Sequence, residues 1–255
     1  MQIADCAANL QSAICNMTHL YLIRHGESVA NVQPIVAGMR GDVGLTERGV
    51  AQADRLRERL AQGEIAADVL IASTLPRARQ TAEIIAPALG LPIIFDDEVQ
   101  ELDIGEADGM STREAWAKYG MPDFENSPLR PIAPGGDSWG SFMLRVGRAF
   151  ARIASEHAGK TIVVVCHGGV IDGAFIYFMG LPTLQLPQID FYTHNTSITH
   201  WIHHHRDGTP IWKLERYNDI AHLTGLGAFE SVRWRDTSVG PQAASHSAVQ
   251  LPTEE

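Results

Sequence analysis

The sequence predicts an α/β protein, a three-layer sandwich in which a mostly parallel central sheet is flanked by helices. Two observations carry this prediction. Short apolar runs of strand length alternate with longer segments whose apolar residues recur at helical spacing. The clearest run, residues 161–166, is apolar almost throughout, which is typical of a strand buried on both faces. Strands that alternate with helices imply a parallel sheet covered on both sides.

The first hundred residues contain three predicted strands. They cover residues 20–24, 68–72 and 92–95. A glycine-rich loop, residues 35–45, follows the first of them. Each strand is followed by polar or charged residues, so the ends of these strands are where chemistry is expected.

Two helices separate these strands. Thr46 is predicted to cap the first helix, whose apolar face is formed by Val50, Ala53, Leu56 and Leu60. The second helix has a face formed by Ala78, Ala82, Ile85 and Leu89. Gly90 is expected to end this helix, and Pro87 is expected to kink or loosen its last turn.

Residues 103–136 break the alternation. They mix glycine, proline and aromatic residues around one predicted helix at 111–119. Asp137 or Ser138 is expected to cap the long helix that follows. The predicted inner face of that helix is formed by Phe142, Val146, Ala149, Ile153 and His157.

The last patterned part of the chain contains one helix and a hairpin. The helix is expected to start at about residue 169, directly after the strand at 161–166. The hairpin strands are predicted at about 197–205 and 211–218, with Asp207-Gly208 in the turn.

Composition limits the kind of protein. The 255 residues carry a formal net charge of −10, which argues against a general nucleic-acid binder. No apolar run reaches the length of a membrane span, and the N-terminal segment, with Asp5 and no basic region, does not resemble a secretory signal. Three sparse cysteines, Cys6, Cys15 and Cys166, fit reduced thiols and predict a cytoplasmic protein.

The two ends of the chain are weakly patterned. Residues 1–16 are interpreted as an N-terminal extension, because Met17 stands just before the first strand; an additional N-terminal helix remains the alternative. The domain is expected to cover residues 17–230, and residues 231–255 are expected to form a loose tail.

The strand ends together supply the groups that bind and transfer an anion. Arg24 and His25 follow the first strand, Arg77 follows the second, Glu101 follows the third and His167 follows the fourth. Ligands bind beyond the carboxyl ends of the strands in such sheets, so these groups are expected to meet. Arginine offers a rigid fork that matches phosphate oxygens, and histidine acts as a nucleophile or proton carrier near neutral pH.

Several motifs resemble those of the histidine phosphatase superfamily, branch 1, which is phosphoglycerate mutase-like. In the family's order they are Arg24-His25-Gly26-Glu27-Ser28, Ser73-x-x-x-Arg77-Ala78-x-Gln80-Thr81-Ala82, Glu101-Leu102-x-x-Gly105 and Cys166-His167-Gly168-Gly169. Weaker matches lie at Asp42–Gly49, Pro134–Ser138 and Asn195–Ile198. The resemblance covers about residues 18–223 and implies a phosphoglycerate mutase-like fold.

The resemblance also implies roles. His25 would be the nucleophile that forms a phosphohistidine, and Glu101 would give a proton to the leaving group. Arg24, Arg77 and His167 would surround the phosphoryl group. The residues implied to bind the substrate are Asn31, Ser28 and Gly168.

These roles make chemical demands. His25 must be neutral to attack phosphorus, and the nearby arginines should keep it so. Glu101 must be protonated when substrate is bound. Two arginines and a second imidazole supply positive charge, so the predicted chemistry needs neither a metal nor another cofactor.

Other interpretations weaken some assignments. An acidic run surrounds Glu101, and such runs are usually solvated. Asn31 has an ordinary alternative as a turn residue. His203-His204-His205 suggests a metal site, but neighbours on a strand point to opposite faces, which favours a solvated hairpin. Cys166 is expected to be packed in the core.

The favoured function is hydrolysis of a small phosphorylated metabolite by a phosphomonoesterase. The segment 103–136 is short for a mutase, with only Arg113, Lys118 and Arg130 as bases. A phosphoglycerate mutase, a dedicated sugar-phosphate or alpha-ribazole phosphatase, and a non-catalytic phosphate-binding protein remain alternatives. An apolar lid over the leaving group is predicted from Trp116, Tyr119, Met121 and Phe124. The oligomeric state stays open, with a homodimer through an exposed edge strand as one option.

Overall fold

The structure is a computed structural model that describes residues 17–189, 191–206 and 209–226. The predicted extension 1–16, the predicted tail 231–255 and the hairpin turn Asp207-Gly208 lie outside the described residues. The domain boundaries at 17 and 230 therefore stay predictions.

A six-stranded sheet forms the centre of the molecule, in the order β3-β2-β4-β1-β5-β6. The strands are β1 (Thr18–Arg24), β2 (Val69–Ser73), β3 (Ile93–Asp96), β4 (Thr161–Cys166), β5 (Ile198–Arg206) and β6 (Thr209–Asp219). The strands β1 to β4 pair in parallel, whereas β5 is antiparallel to both of its neighbours. The predicted mostly parallel sheet is confirmed.

Six α-helices connect or cover the strands in the described part of the chain. They are α1 (Val29–Val32), α2 (Glu47–Leu60), α3 (Pro76–Leu89), α4 (Thr112–Tyr119), α5 (Trp139–Glu156) and α6 (Gly168–Phe178). The short helix α1 was not predicted. The Thr46 hydroxyl caps α2 by accepting from the Gly49 N–H at 3.0 Å, and Ser138, not Asp137, caps α5.

The end of α3 follows the glycine rule. Gly90 adopts a left-handed conformation with φ of 65°, and its N–H donates to the Ala86 carbonyl at 3.0 Å. The helix continues through Pro87 to Leu89, so the proline lies inside the helix and does not end it.

Two apolar layers enclose the sheet. On one side α5 and α6 pack against Leu20, Leu22, Ile162 and Val164; on the other, α2 and α3 pack against Ile23, Leu70, Val163 and Val165. Successive residues of β4 thus serve opposite layers, which explains its continuous apolar sequence. Val50, predicted on the inner face of α2, is 40% exposed. Gly49 and Gln52 are buried on α2 instead.

A close contact between two glycines fixes the loop after β1. A Cβ at Gly26 would lie 2.5 Å from the Gly49 carbonyl oxygen, and a Cβ at Gly49 would lie 1.9 Å from the Glu27 carbonyl oxygen. Glycine at position 26 therefore allows α2 to approach the backbone beside His25.

Candidate active site

A cavity of about 400 Å³ opens at the carboxyl ends of the parallel strands. Its lining includes Arg24, His25, Arg77 and Glu101, which lie at or after the ends of β1, β2 and β3. His167 follows β4 and lies behind this lining, with its ring centroid 5.1 Å from that of His25. The five residues selected from the strand ends are thus brought together, as the topology of a parallel sheet requires.

Hydrogen bonds define the tautomer of His25. Its Nδ1 lies 2.6 Å from the Gly26 carbonyl oxygen, which can only accept, so Nδ1 carries the proton. The Arg77 Nε–H donates to Nε2 at 3.1 Å, and a guanidinium can only donate. Both contacts therefore place the lone pair of His25 on Nε2, the atom on the side of Arg77.

His25 is held in its uncharged form. The side chain is buried, with 3% of the residue exposed. Burial, followed by the charges of Arg77 and Arg24, lowers its pKa well below the ordinary value. A neutral imidazole at neutral pH has the lone pair that a nucleophile needs.

Arg77 is fixed by an ion pair with Asp42. The Arg77 Nη1 lies 2.8 Å from Asp42 Oδ2, and the Arg77 backbone N–H donates to the same oxygen at 3.1 Å. The Asp42 side chain is fully buried at 0% exposure, and that of Arg77 is 6% exposed. Because the pair is buried and hydrogen-bonded, the guanidinium has one orientation toward His25.

Arg24 supplies a second guanidinium. Its Nη1 donates to the Thr193 carbonyl. Its buried Nε has no hydrogen-bond partner among the described residues. A buried donor of this kind is costly unless a ligand satisfies it, and an oxyanion is the natural acceptor.

His167 places a second imidazole next to His25. Its Nε2 lies 2.7 Å from the Ser73 hydroxyl at the end of β2, and its Nδ1 is buried without a partner in the described residues. Burial and then the charge of Arg77 lower the pKa of His167 well below its ordinary value. The negative charge of an arriving phosphoryl group would offset the charges of the arginines. It would thereby favour the protonated ring of His167, which can donate a hydrogen bond to the phosphoryl oxygen.

Glu101 faces the N-terminus of α6. Its carboxylate accepts N–H bonds from Leu102 and Gly169, both at 3.0 Å. A Cβ at Gly169 would lie 2.3 Å from Glu101 Oε1, so the glycine leaves the space that the carboxylate occupies. Arg145 holds the chain at this point, since its Nη2 donates to the Glu101 carbonyl at 3.1 Å.

The three residues predicted to bind the substrate occupy different positions. Asn31 lines the cavity, and its Oδ1 accepts from the Ser28 N–H at 3.0 Å and from Asn195 Nδ2 at 3.2 Å. The Asn31 oxygen is thereby occupied, which leaves the amide NH₂ as the donor for a phosphate. Gly168 also lines the cavity. Ser28 is fully buried and does not line it, so its position suits orientation of Asn31.

Six apolar or aromatic side chains form another part of the cavity wall. They are Ile104, Trp116, Phe124, Ile132, Trp139 and Phe142. Two of the four residues predicted as an apolar lid, Trp116 and Phe124, are in this wall. Tyr119 and Met121 are not: the Tyr119 hydroxyl donates to Glu106 at 3.0 Å, and Met121 is 46% exposed.

The remaining histidines do not form a metal site in the described part of the chain. Among those residues, no three His, Cys, Asp or Glu side chains are grouped to hold an ion. His203 and His205 share one face of β5 with ring centroids 5.6 Å apart, and His203 also packs on Trp212.

Cys166 is fully buried, as predicted. No helix within the described ranges is long and apolar enough to cross a membrane.

Sequence reasoning missed the supporting contacts. Asp42 and Ser73 were noted within motifs, but their partners could not be read from spacing. Arg145 gave no signal, because the three carbonyls to which it donates lie more than forty residues earlier in the chain. Asp172 also lines the cavity, and its charge acts on Arg24. Asp172 lies four residues after Gly168, about one helical turn. The sequence could have indicated that Asp172 faces the site only if the start of α6 at Gly168 were already known.

Comparison with known proteins identifies the class. The sequence profile of the histidine phosphatase superfamily, branch 1, matches residues 20–220. Phosphoglycerate mutase-like protein 4 of Arabidopsis thaliana is 31% identical over 217 residues, covering 83% of this chain and 90% of that protein. An uncharacterized phosphatase of Bacillus subtilis is 29% identical over 211 residues, covering 82% of this chain and 99% of that protein. The chain therefore belongs to the histidine phosphatase superfamily, branch 1.

Solved structures agree with this assignment. The alpha-ribazole phosphatase of Shigella flexneri is similar with a TM-score of 0.65 at 25% identity, covering 79% of this chain and 96% of that chain. Phosphoglycerate mutase of Bacillus anthracis has a TM-score of 0.66 at 21% identity, covering 83% and 97% of the two chains. The phosphoglycerate mutase-like fold expected from the sequence is confirmed, and the family includes both phosphatases and mutases.

Proposed function

We propose that this protein is a phosphomonoesterase that hydrolyses a small phosphorylated metabolite through a phosphohistidine on His25. The observation that carries the proposal is the state of His25. Two hydrogen bonds place its lone pair on Nε2, and burial beside Arg77 and Arg24 keeps the ring neutral. This is the form in which an imidazole can attack phosphorus.

In the first step His25 Nε2 attacks phosphorus and the ester P–O bond breaks. The leaving alcohol oxygen takes a proton from Glu101, which must be in its acid form when substrate is bound. Charge on the three equatorial oxygens is balanced by Arg24, Arg77 and His167. As the substrate enters, the Arg77 Nε–H stops donating its hydrogen bond to His25 Nε2 and donates it to a phosphoryl oxygen instead.

In the second step a water molecule attacks the phosphohistidine. The N–P bond breaks, and the Glu101 carboxylate takes the proton of the water, which restores its acid form. The lone pair returns to Nε2 of His25, and phosphate leaves. The cationic groups of the chain supply the charge stabilisation in both steps, so activity is expected to survive a chelator.

Charge along the cavity favours hydrolysis over mutase chemistry. A phosphoglycerate mutase must hold a substrate that carries a carboxylate as well as phosphate. In the described residues that line the cavity, Arg24 and Arg77 are the cations, and both serve the phosphoryl position. Arg113, Lys118 and Arg130, the bases of the segment 103–136, lie outside the lining.

Hydrolysis of p-nitrophenyl phosphate in a chelating buffer tests the proposal. Wild-type protein should turn over, and His25→Ala should lose activity by a factor of at least 10³, while Leu144→Ala, at an exposed position on α5, should retain it. Retained turnover in His25→Ala would remove this residue as the nucleophile. Turnover only after metal addition would contradict the metal-independent mechanism.

Incubation with 3-phosphoglycerate separates the two activities of the family. The proposal predicts either release of phosphate or no reaction. Formation of 2-phosphoglycerate, at a rate above that of phosphate release, would show a mutase.

A further inference from the structure

We propose that this enzyme selects phosphate monoesters of apolar, ring-bearing alcohols and rejects esters whose alcohol carries a second anion. The inference rests on the proposed hydrolysis at His25 and concerns the remainder of the same cavity. It follows from the contrast between two parts of the cavity lining. One part consists of the phosphoryl-binding groups, and another is a wall of apolar and aromatic side chains.

The apolar wall comes from four parts of the chain. Ile104 lies before α4, Trp116 lies on α4, Phe124 and Ile132 lie between α4 and α5, and Trp139 and Phe142 lie at the start of α5. Phe124 and Trp139 pack with ring centroids 5.7 Å apart, and Trp139 and Phe142 with centroids 6.4 Å apart. These packed rings form a preformed surface that suits a flat or branched apolar group.

The wall belongs to the main hydrophobic core. Phe124, Ile132 and Trp139 are 4%, 6% and 4% exposed, and they pack in the same cluster as the residues under the sheet. Their positions are therefore fixed by the fold. A leaving group that contacts them replaces water with apolar surface, which favours binding in proportion to the area covered.

Charge excludes an anionic leaving group. In the described lining, Arg24 and Arg77 are the cations; Glu101 and Asp172 are carboxylates. The other arginines near this wall have their own acceptors. Arg145 donates to the carbonyls of Gln100 and Glu101 at 2.7 and 3.1 Å, and Arg130 donates to the Tyr119 carbonyl.

The consequence is a difference in affinity between two kinds of ester. A carboxylate or second phosphate on the alcohol would lose its water against apolar side chains and would meet the Asp172 carboxylate, while both cations of the described lining serve the phosphoryl group. An uncharged ring would lose nothing of this kind. The cavity volume of about 400 Å³ leaves room for such a group beside the phosphoryl site.

A pair of synthetic esters tests the inference with the leaving-group chemistry held nearly constant. Benzyl phosphate and 4-carboxybenzyl phosphate both release a primary benzylic alcohol, and they differ in one carboxylate far from phosphorus. We expect kcat/KM to be roughly 10- to 100-fold higher for benzyl phosphate, the range expected for a buried mismatch in a binding pocket. Equal values, or a preference for the carboxylated ester or for 3-phosphoglycerate, would overturn the inference.

A variant ties the preference to the wall. Trp116→Lys places a cation on α4 at a half-buried position, so the ratio of the two kcat/KM values should fall at least tenfold. The ratio does not depend on the fraction of folded protein, so partial loss of folding cannot imitate this result. Leu144→Lys, an exposed position on α5, is the control and should keep the wild-type ratio. An unchanged ratio in Trp116→Lys would show that the wall does not contact the alcohol.

The outcome also separates this inference from the proposed function. If neither benzyl ester nor p-nitrophenyl phosphate is hydrolysed, the proposed activity fails, and the inference fails with it. If p-nitrophenyl phosphate is hydrolysed and the anionic ester is preferred over benzyl phosphate, only the inference fails.

Discussion

Replacement of Gly169 by alanine should separate acid catalysis from folding. A Cβ at this position would lie 2.3 Å from Glu101 Oε1, whereas ordinary contact begins at 3.4 Å, so the oxygen must withdraw by about 1.1 Å. The carboxylate is the end of a flexible side chain, so the protein can adapt. Alanine in a helix is favoured over glycine by about 1 kcal/mol, so the melting temperature should not fall.

The loss should appear in catalysis of esters with poor leaving groups. A displacement of about 1 Å at a reacting group costs on the order of 10²-fold, or about 2.7 kcal/mol of barrier. We expect kcat for benzyl phosphate to fall by roughly this factor in Gly169→Ala. The p-nitrophenyl ester has a leaving group that needs no proton, so the first step on this ester should fall much less.

Stopped-flow and steady-state assays on both esters provide the test. The first-turnover rate should show the selective loss for benzyl phosphate, and Glu101→Gln should show the same selectivity. Gly147→Ala, the same exchange on α5 outside the cavity, is the matched control. Equal losses on the two esters would indicate that Glu101 positions the substrate, and unchanged rates on both would refute the assigned proton transfer.

Three further perturbations follow from the contacts of the site. Asp42→Asn removes the charge that fixes Arg77, so kcat/KM for p-nitrophenyl phosphate should fall by about 10²-fold with the fold retained by circular dichroism; an unchanged value would show that Arg77 needs no such partner. The charge of Arg77 lowers the pKa of His25, so Arg77→Met should raise that pKa, measured by NMR of the imidazole, and no upward shift would contradict this cause. Burial, followed by the charge of His19, lowers the pKa of His200 from an ordinary 6.5 to about 4, so the unfolded chain binds a proton that the fold excludes, and stability should fall as pH drops from about 6.5 to about 4. The melting temperature should therefore decrease over this pH range, and it should decrease less in His200→Phe, which keeps a ring against Tyr21. The same decrease in the variant and the wild type would show that His200 does not contribute to it.

Much of the fold could be predicted because its signals are local. The apolar runs of β1 and β4, the Thr46 cap and the Gly90 end are written in neighbouring residues. The helix α1 was missed because its four residues, Val29–Val32, are too few to show a helical period. Periodicity predicts neither the order of the strands in the sheet nor the burial of Gln52, since both depend on how distant segments pack.

Some residues of the candidate site could be predicted from the sequence, and their supporting contacts could not. Arg24, Arg77 and His167 could be selected because they follow strands, and the parallel sheet brings strand ends together. The ion pair of Arg77 with Asp42 could not, because thirty-five positions of sequence separate the two. Of the four residues predicted to form an apolar lid, two line the cavity. Trp116 and Tyr119 lie three residues apart on α4, but the Tyr119 hydroxyl donates to Glu106 and does not line the cavity.

The central claim is that His25 carries the phosphoryl group, and trapping that intermediate tests it most directly. Glu101→Gln should slow attack of water more than it slows phosphorylation by p-nitrophenyl phosphate, so the intermediate should accumulate with a burst of p-nitrophenolate. Rapid quenching in base and peptide mass spectrometry should then find one acid-labile phosphoryl group on the peptide that contains His25, and none in the His25→Ala protein. Steady turnover with no phosphorylated peptide, or a phosphoryl group on another residue, would contradict the account.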